Sequence, residues 1–389
     1  MKRYTFTSLL IASILLGAWL PSGVKTAEES NETTSSKSKL KLLYELTLPE
    51  CITAFSVKKG EDGKNDIDKI MTIAGIYELH ENRQTRQIVK RTKELPVKTR
   101  CYPSSEAFSP DGRYVVFDNN PGEYPGNFLI HDFEKKTSSP IDVALFGAFS
   151  NRSIMFFARQ VPSLVTDFSG NKIAELPEMV TIKGFENGFV CYGYGMDSIL
   201  VFLNSEGQIL DKKSHHSHGL AYDVAYKNGI TAIIVPSESS LTVYDSSGGV
   251  KHVFNVPFHG HYAGIGISAN SKYIAVMCSE GWIKFFDIPN KKELWKKDFT
   301  WGGRFIGSRS IPIAHDANYI IVYGDLEKRE NPVWSMIILD HLGNTVALFD
   351  APRDRGYMAY YHIDFIPETH RIVGFTDNTL SVYEIIEGE

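Results

Sequence analysis

The 389-residue sequence predicts an all-β fold, a closed β-propeller of four-stranded blades, about eight of them, behind an export segment. Three observations predict it. Short apolar-alternating runs recur from Leu40 onward, nearly all bounded by Gly, Asn, Asp, Pro or Ser, which is the pattern of strands and hairpins. The runs fall into groups of four at a spacing of roughly 43 residues, near the length of one propeller blade. The last group is one strand short, and a spare strand at 42–48 precedes the first group, so the N-terminal strand completes the last blade and removes the open edges. A seven-bladed ring follows if one short unit is misread, and a pair of β-sandwiches is the rival arrangement.

The N-terminus reads as a targeting segment. Lys2 and Arg3 precede an apolar run over 9–20, which Pro21, Ser22 and Gly23 end. A charged start before a short apolar stretch is the layout of a secretory signal. The run is shorter than the roughly 20 residues that span a bilayer. Residues 1–27 are therefore expected to be a signal peptide, cleaved after Ala27 or after Gly23, with an uncleaved anchor as the alternative. No cysteine lies near it to carry a lipoprotein anchor. Residues 28–40 are rich in Glu, Ser, Asn, Thr and Lys without apolar periodicity and read as a flexible linker. Residues 41–389 form the propeller, a monomer in the periplasm or outside the cell with no membrane span once the signal is removed.

The units follow in order. The first spans 52–95 and carries a charged first turn over 58–69. The second opens at 105–111 and continues with strands at 114–117, 128–130 and 141–143. A short unit covers 146–176, the next 180–210, and the next 221–256. The clearest covers 262–299, with strands at 265–267, 273–277, 282–288 and 293–299 separated by turn residues such as Asn270, Ser271, Gly281, Pro289 and Asn290. A longer unit runs from 305 to 349 with an insertion at 327–332, and the last starts at Tyr360.

Two units carry a family resemblance. Gly260-His261, Tyr273-Ile274-Ala275-Val276 and Trp282-Ile283-Lys284-Phe285-Phe286-Asp287-Ile288 resemble a WD40 repeat. Ser109-Pro110-Asp111-Gly112 resembles the turn common in WD40 and TolB-like propellers. His131-Asp132, Tyr244-Asp245 and Phe286-Asp287 stand near the usual Trp-Asp position. The resemblance implies propeller architecture over 41–389, in a family of binding scaffolds with a minority of enzymes. It also implies that His261 ties blade strands together.

The formal net charge of −5, from 41 Lys and Arg against 46 Asp and Glu, gives no long-range attraction to nucleic acid. No G-x-S-x-G, P-loop, C-x-x-C or H-E-x-x-H sequence is present. Connections from a fourth strand to the next first strand gather on one propeller face, so distant residues converge there. Two such connections are His-rich, with His215, His216 and His218 in one and His259 and His261 in the next. Imidazole is a common transition-metal ligand, although solvated loop histidines read the same way. The following connections hold Trp301 and Arg304, then Arg353, Arg355, Tyr357 and Tyr360. These side-chain types are enriched at binding hot spots.

Cys51 and Cys101 precede the first strands of consecutive units, a placement that permits a disulfide in an oxidising compartment. Cys191 and Cys278 fall inside second strands, as small buried apolar residues. Asn31-Glu32-Thr33 and Asn151-Arg152-Ser153 fit the N-glycosylation pattern, which matters only in a eukaryotic secretory path. The expected function is a non-enzymatic scaffold without a cofactor, holding a protein, peptide or carbohydrate on the loop-lined face. The alternative is an enzyme with a metal or redox cofactor at the His-rich loops.

Overall fold

Thirty strands, and no helix long and apolar enough to cross a membrane, make up the described part of the chain. The computed structural model describes residues 39–60, 63–80, 87–94, 107–118, 127–142, 145–157, 162–177, 179–193, 198–215, 221–235, 238–257, 263–278, 281–299, 311–325, 334–350, 362–375 and 378–386.

Strand β1 (Lys39–Thr47) comes first, beginning two residues before the expected boundary at Lys41. Blade 1 is β2 (Ile52–Lys59), β3 (Asn65–Thr72), β4 (Gly75–His80) and β5 (Gln87–Glu94). Blade 2 holds β6 (Tyr114–Asp118), β7 (Asn127–Asp132) and β8 (Thr137–Asp142). Blade 3 is β9 (Leu145–Phe149), β10 (Ile154–Phe157), β11 (Ser163–Thr166) and β12 (Lys172–Leu176). Blade 4 is β13 (Met179–Phe185), β14 (Gly188–Gly193), β15 (Ser198–Asn204) and β16 (Ile209–His215). Blade 5 is β17 (Ala221–Val224), β18 (Thr231–Val235), β19 (Ser240–Tyr244) and β20 (Val250–Asn255). Blade 6 is β21 (Ala263–Ile267), β22 (Tyr273–Cys278), β23 (Trp282–Asp287) and β24 (Lys292–Asp298). Blade 7 holds β25 (Tyr319–Asp325), β26 (Trp334–Asp340) and β27 (Thr345–Asp350). Blade 8 is β28 (His362–Phe365), β29 (Arg371–Phe375) and β30 (Thr379–Ile386), with β1 as its outer strand, Leu46 opposite Leu380. The ring is therefore eight-bladed and closed by its N-terminal strand.

Burial explains why these runs become these strands. Middle strands are covered on both faces by neighbouring blades, so they read as continuous apolar runs; all of β18 is buried. Outer strands touch a blade on one side only, and β20 is mostly exposed apart from Phe254. Eight apolar clusters form, one per blade junction. Between blades 5 and 6, for example, Ile234, Leu241 and Val243 meet Ile274, Val276 and Phe286. The last junction, blade 8 against blade 1, packs Val373, Phe375 and Leu380 on Ile52, Phe55 and Ile70.

Polar contacts add to the closure. In that junction Arg371 of β29 donates to Asp66 of β3 at 3.0 Å, and the Tyr44 hydroxyl of β1 donates to the other Asp66 oxygen at 2.7 Å. The turns between third and fourth strands repeat a pattern. Asp167, Asn204, Asp245 and Asp340 each accept backbone N–H bonds from the turn they head. Three residues on, Gly170, Gly207, Gly248 and Gly343 adopt positive φ.

The boundaries differ from the sequence reading in places. Of the expected first strands at 105–111 and from Phe305, the described residues hold one bridge each, Phe108 to Val115 and Ile313 to Ile320. Gly266 lets the Ile311 carbonyl come close, since a Cβ there would lie 1.9 Å from that oxygen. The charged segment 58–69 is mostly strand rather than turn, with Gly60 donating to the Lys64 carbonyl across a short connection. The fourth strand of blade 4 runs on to His215 rather than ending at Leu210.

Candidate functional site

Antiparallel order gives the ring two different faces. Turns between first and second strands and between third and fourth strands share one face. Second-to-third loops and the links to the next blade share the other. The His-rich and Arg/Trp/Tyr connections leave from the ends of β16, β20, β24 and β27, the outer strands of four consecutive blades, all on this second face. His216, His218, His259, His261, Trp301, Arg304, Arg353, Arg355, Tyr357, Tyr360 and Cys101 themselves lie outside the described residues. His215 closes β16 opposite Ser198.

Cys51 is half-buried just before β2. Cys191 and Cys278 are buried in β14 and β22, second strands as expected, and the Cys191 thiol faces the Met155 sulfur at 3.3 Å. Asn151 is exposed at the first turn of blade 3 and accepts from the Tyr226 hydroxyl at 2.6 Å, whereas Ser153 of the same sequon is buried.

On the turn face the structure assembles a cluster that the sequence reading missed. His315 and Asp316 lie in the first turn of blade 7, and His370 lies in the first turn of blade 8. One ligand atom from each falls within 4.8 Å of the other two. The Nε2 of His370 and Oδ2 of Asp316 are 2.8 Å apart, and the two imidazole rings stand 5.7 Å apart. Nδ1 of His315 is buried and has no hydrogen-bond partner among the described residues. Asn318 donates its backbone N–H to Oδ1 of Asp316 and its side-chain amide to Oδ2. Burial works to raise the Asp316 carboxyl, but the Asn318 N–H and the His370 ring hold it below the usual carboxylate range. Tyr319 meets His370 edge to face. Among the first turns of successive blades, Asp316 takes the turn position of Asp111 and Asn270.

A second polar chain links first strands. Lys183 of β13 pairs with Asp223 of β17 at 2.6 Å, and Asp223 accepts the Ile267 N–H of β21 at 2.8 Å, tying blades 4, 5 and 6 together.

This architecture is an eight-bladed β-propeller. No family profile matches the sequence, and no curated protein matches it. Solved structures do match, 1355 chains in all, and a shared fold does not name a function. One is the crystal structure of BamB from Moraxella catarrhalis, similar at a TM-score of 0.57 and 11% identity, covering 89% of this chain and 100% of that one. At that identity the likeness shows the fold alone.

Proposed function

We propose that the chain is an exported scaffold without catalytic activity that holds a protein, peptide or carbohydrate partner on its loop-lined face. The observation that carries this reading is the placement of β24 and β27. These outer strands of adjacent blades end on one face, and the connections leaving them carry Trp301, Arg304, Arg353, Arg355, Tyr357 and Tyr360. Arg and aromatic side chains concentrated on neighbouring connections suit a binding hot spot. The signal-like residues 1–27 support export, and the Cys51 and Cys101 pair suits the oxidising compartment that export reaches.

The test is affinity capture from an envelope or secreted extract, with the partner's affinity then measured. Each hot-spot truncation costs about 2 kcal/mol or more. The variant carrying Trp301→Ala, Arg353→Ala and Arg355→Ala is therefore expected to bind at least about 100-fold more weakly with an unchanged melting temperature. Capture that is the same in both proteins would remove the rim from the proposal.

A further inference from the structure

We propose that His315, Asp316 and His370 form a binding site for one divalent transition-metal ion, bridging blades 7 and 8 on the face opposite the proposed rim. Three donor groups converge from two blades with their ligand atoms within 4.8 Å of one another. A tetrahedral first-row ion with bonds of about 2.0–2.2 Å holds its ligands roughly 3.3–3.6 Å apart. Small side-chain rotations bring the trio to that spacing. The 2.8 Å contact between His370 and Asp316 opens slightly as the ion takes the place of the shared proton.

A hydrogen-bonded His–Asp pair alone does not account for the cluster. His315 is the third member, and its Nδ1 is buried without a hydrogen-bond partner among the described residues. The repeat itself supplies a second argument. In blades 2 and 6 a serine opens the turn, and its hydroxyl donates to the residue that matches Asp316: Ser109 to Asp111 at 2.5 Å and Ser268 to Asn270 at 2.7 Å. In blade 7 the opening residue is Ala314, which has no hydroxyl. The Asp316 carboxylate turns instead to the next blade and meets His370. Asn318 fixes both carboxylate oxygens, as outer-shell partners fix metal ligands.

The donor set selects the ion. Two imidazoles and one carboxylate suit zinc, cobalt, iron or nickel, whereas calcium and magnesium prefer all-oxygen sites. Three protein ligands leave a fourth position for water or for a donor from a bound partner.

The experiment is a zinc titration of the purified, metal-stripped protein by calorimetry, with cobalt absorption as a geometric reporter. The expected result is one zinc per chain, a raised Tm on loading and the strong visible bands of four-coordinate cobalt. His315→Ala and His370→Ala each weaken zinc by at least about tenfold, the loss that removal of even an outer-shell partner brings. Asp316→Asn does the same while keeping the oxygen that accepts the Asn318 N–H, so this variant separates a lost ligand from a lost turn. Alanine at His216, His218, His259 and His261 leaves the affinity unchanged. No stoichiometric zinc uptake, or uptake that survives Asp316→Asn and vanishes in the four-histidine loop variant, overturns the proposal. The partner-capture result is independent of either outcome, because the rim variants leave these three residues intact.

Discussion

Asp68 shows a carboxylate held inside a strand by its neighbours. Burial works to raise its pKa, but hydrogen bonds from the Lys58 and Lys69 ammonium groups and their charges hold it below the ordinary carboxylate value. A folded-state value below the unfolded one contributes stability above the unfolded pKa of about 3.9, and that contribution is lost as pH falls through the folded value. Asp68→Asn is therefore expected to cost about 1–2 kcal/mol at neutral pH, a charged hydrogen bond discounted for the exposure of Lys58. The gap between the two Tm curves should close below about pH 4. A constant Tm difference from pH 3 to pH 7 would show that the amide is resented for its shape rather than its charge. In sequence the charges over 58–69 resemble a turn, but 58–59 and 65–69 lie in β2 and β3. Asp66 and Asp68 alternate within β3, and the partner that neutralises Asp66, Arg371, stands 305 residues away. No local pattern announces such a pair. The same limit hid His315, Asp316 and His370, where His370 and Asp316 lie 54 residues apart and each turn looks ordinary alone.

Strands and turns were far more legible. Middle strands such as β18 and β22 are unbroken apolar runs because blades cover both their faces, and the turn residues that bound them stand out. In blades 2 and 7, Phe108 and Ile313 serve the core from one described bridge each. The glycine turns offer a measurement of how packing adds to backbone conformation. Gly207 has φ +77°, and a Cβ there would lie 2.7 Å from the Ala174 Cβ of the preceding blade. Gly63 has φ +76° with nothing within 4 Å. Both Ala variants carry the left-handed cost of about 1–2 kcal/mol. Gly207→Ala adds an overpacking cost of about 1–3 kcal/mol. Urea unfolding should place its midpoint clearly below that of Gly63→Ala, with the same m-value. Equal midpoints would mean that the junction between blades 3 and 4 yields without cost.

At the scale of the molecule, the decisive feature is that blade 8 belongs to both ends of the chain. The spare strand at 42–48 made this closure readable, because a ring one strand short at its C-terminus needs that strand from somewhere. Its energetic weight comes from few residues. Leu46 and Leu48 are buried in the junction between blades 8 and 1, each contributing about 1.5–3 kcal/mol. The Leu48 N–H donates to the Asn378 carbonyl, and Tyr44 completes the Asp66–Arg371 pair. Removing residues 39–48 therefore forfeits at least about 3–6 kcal/mol, a large share of the 5–15 kcal/mol that holds a typical domain. It also bares β30 along its whole length as an unpaired edge. The truncated protein is expected to melt at a much lower temperature and to self-associate in sedimentation, whereas a synthetic 39–48 peptide added in trans restores the monomer by strand addition. A truncated protein that stays monomeric with an unchanged melting curve would mean that the ring is closed by side-chain packing between β29, β30 and blade 1 alone, and that the N-terminal strand is an ornament on blade 8 rather than its clasp.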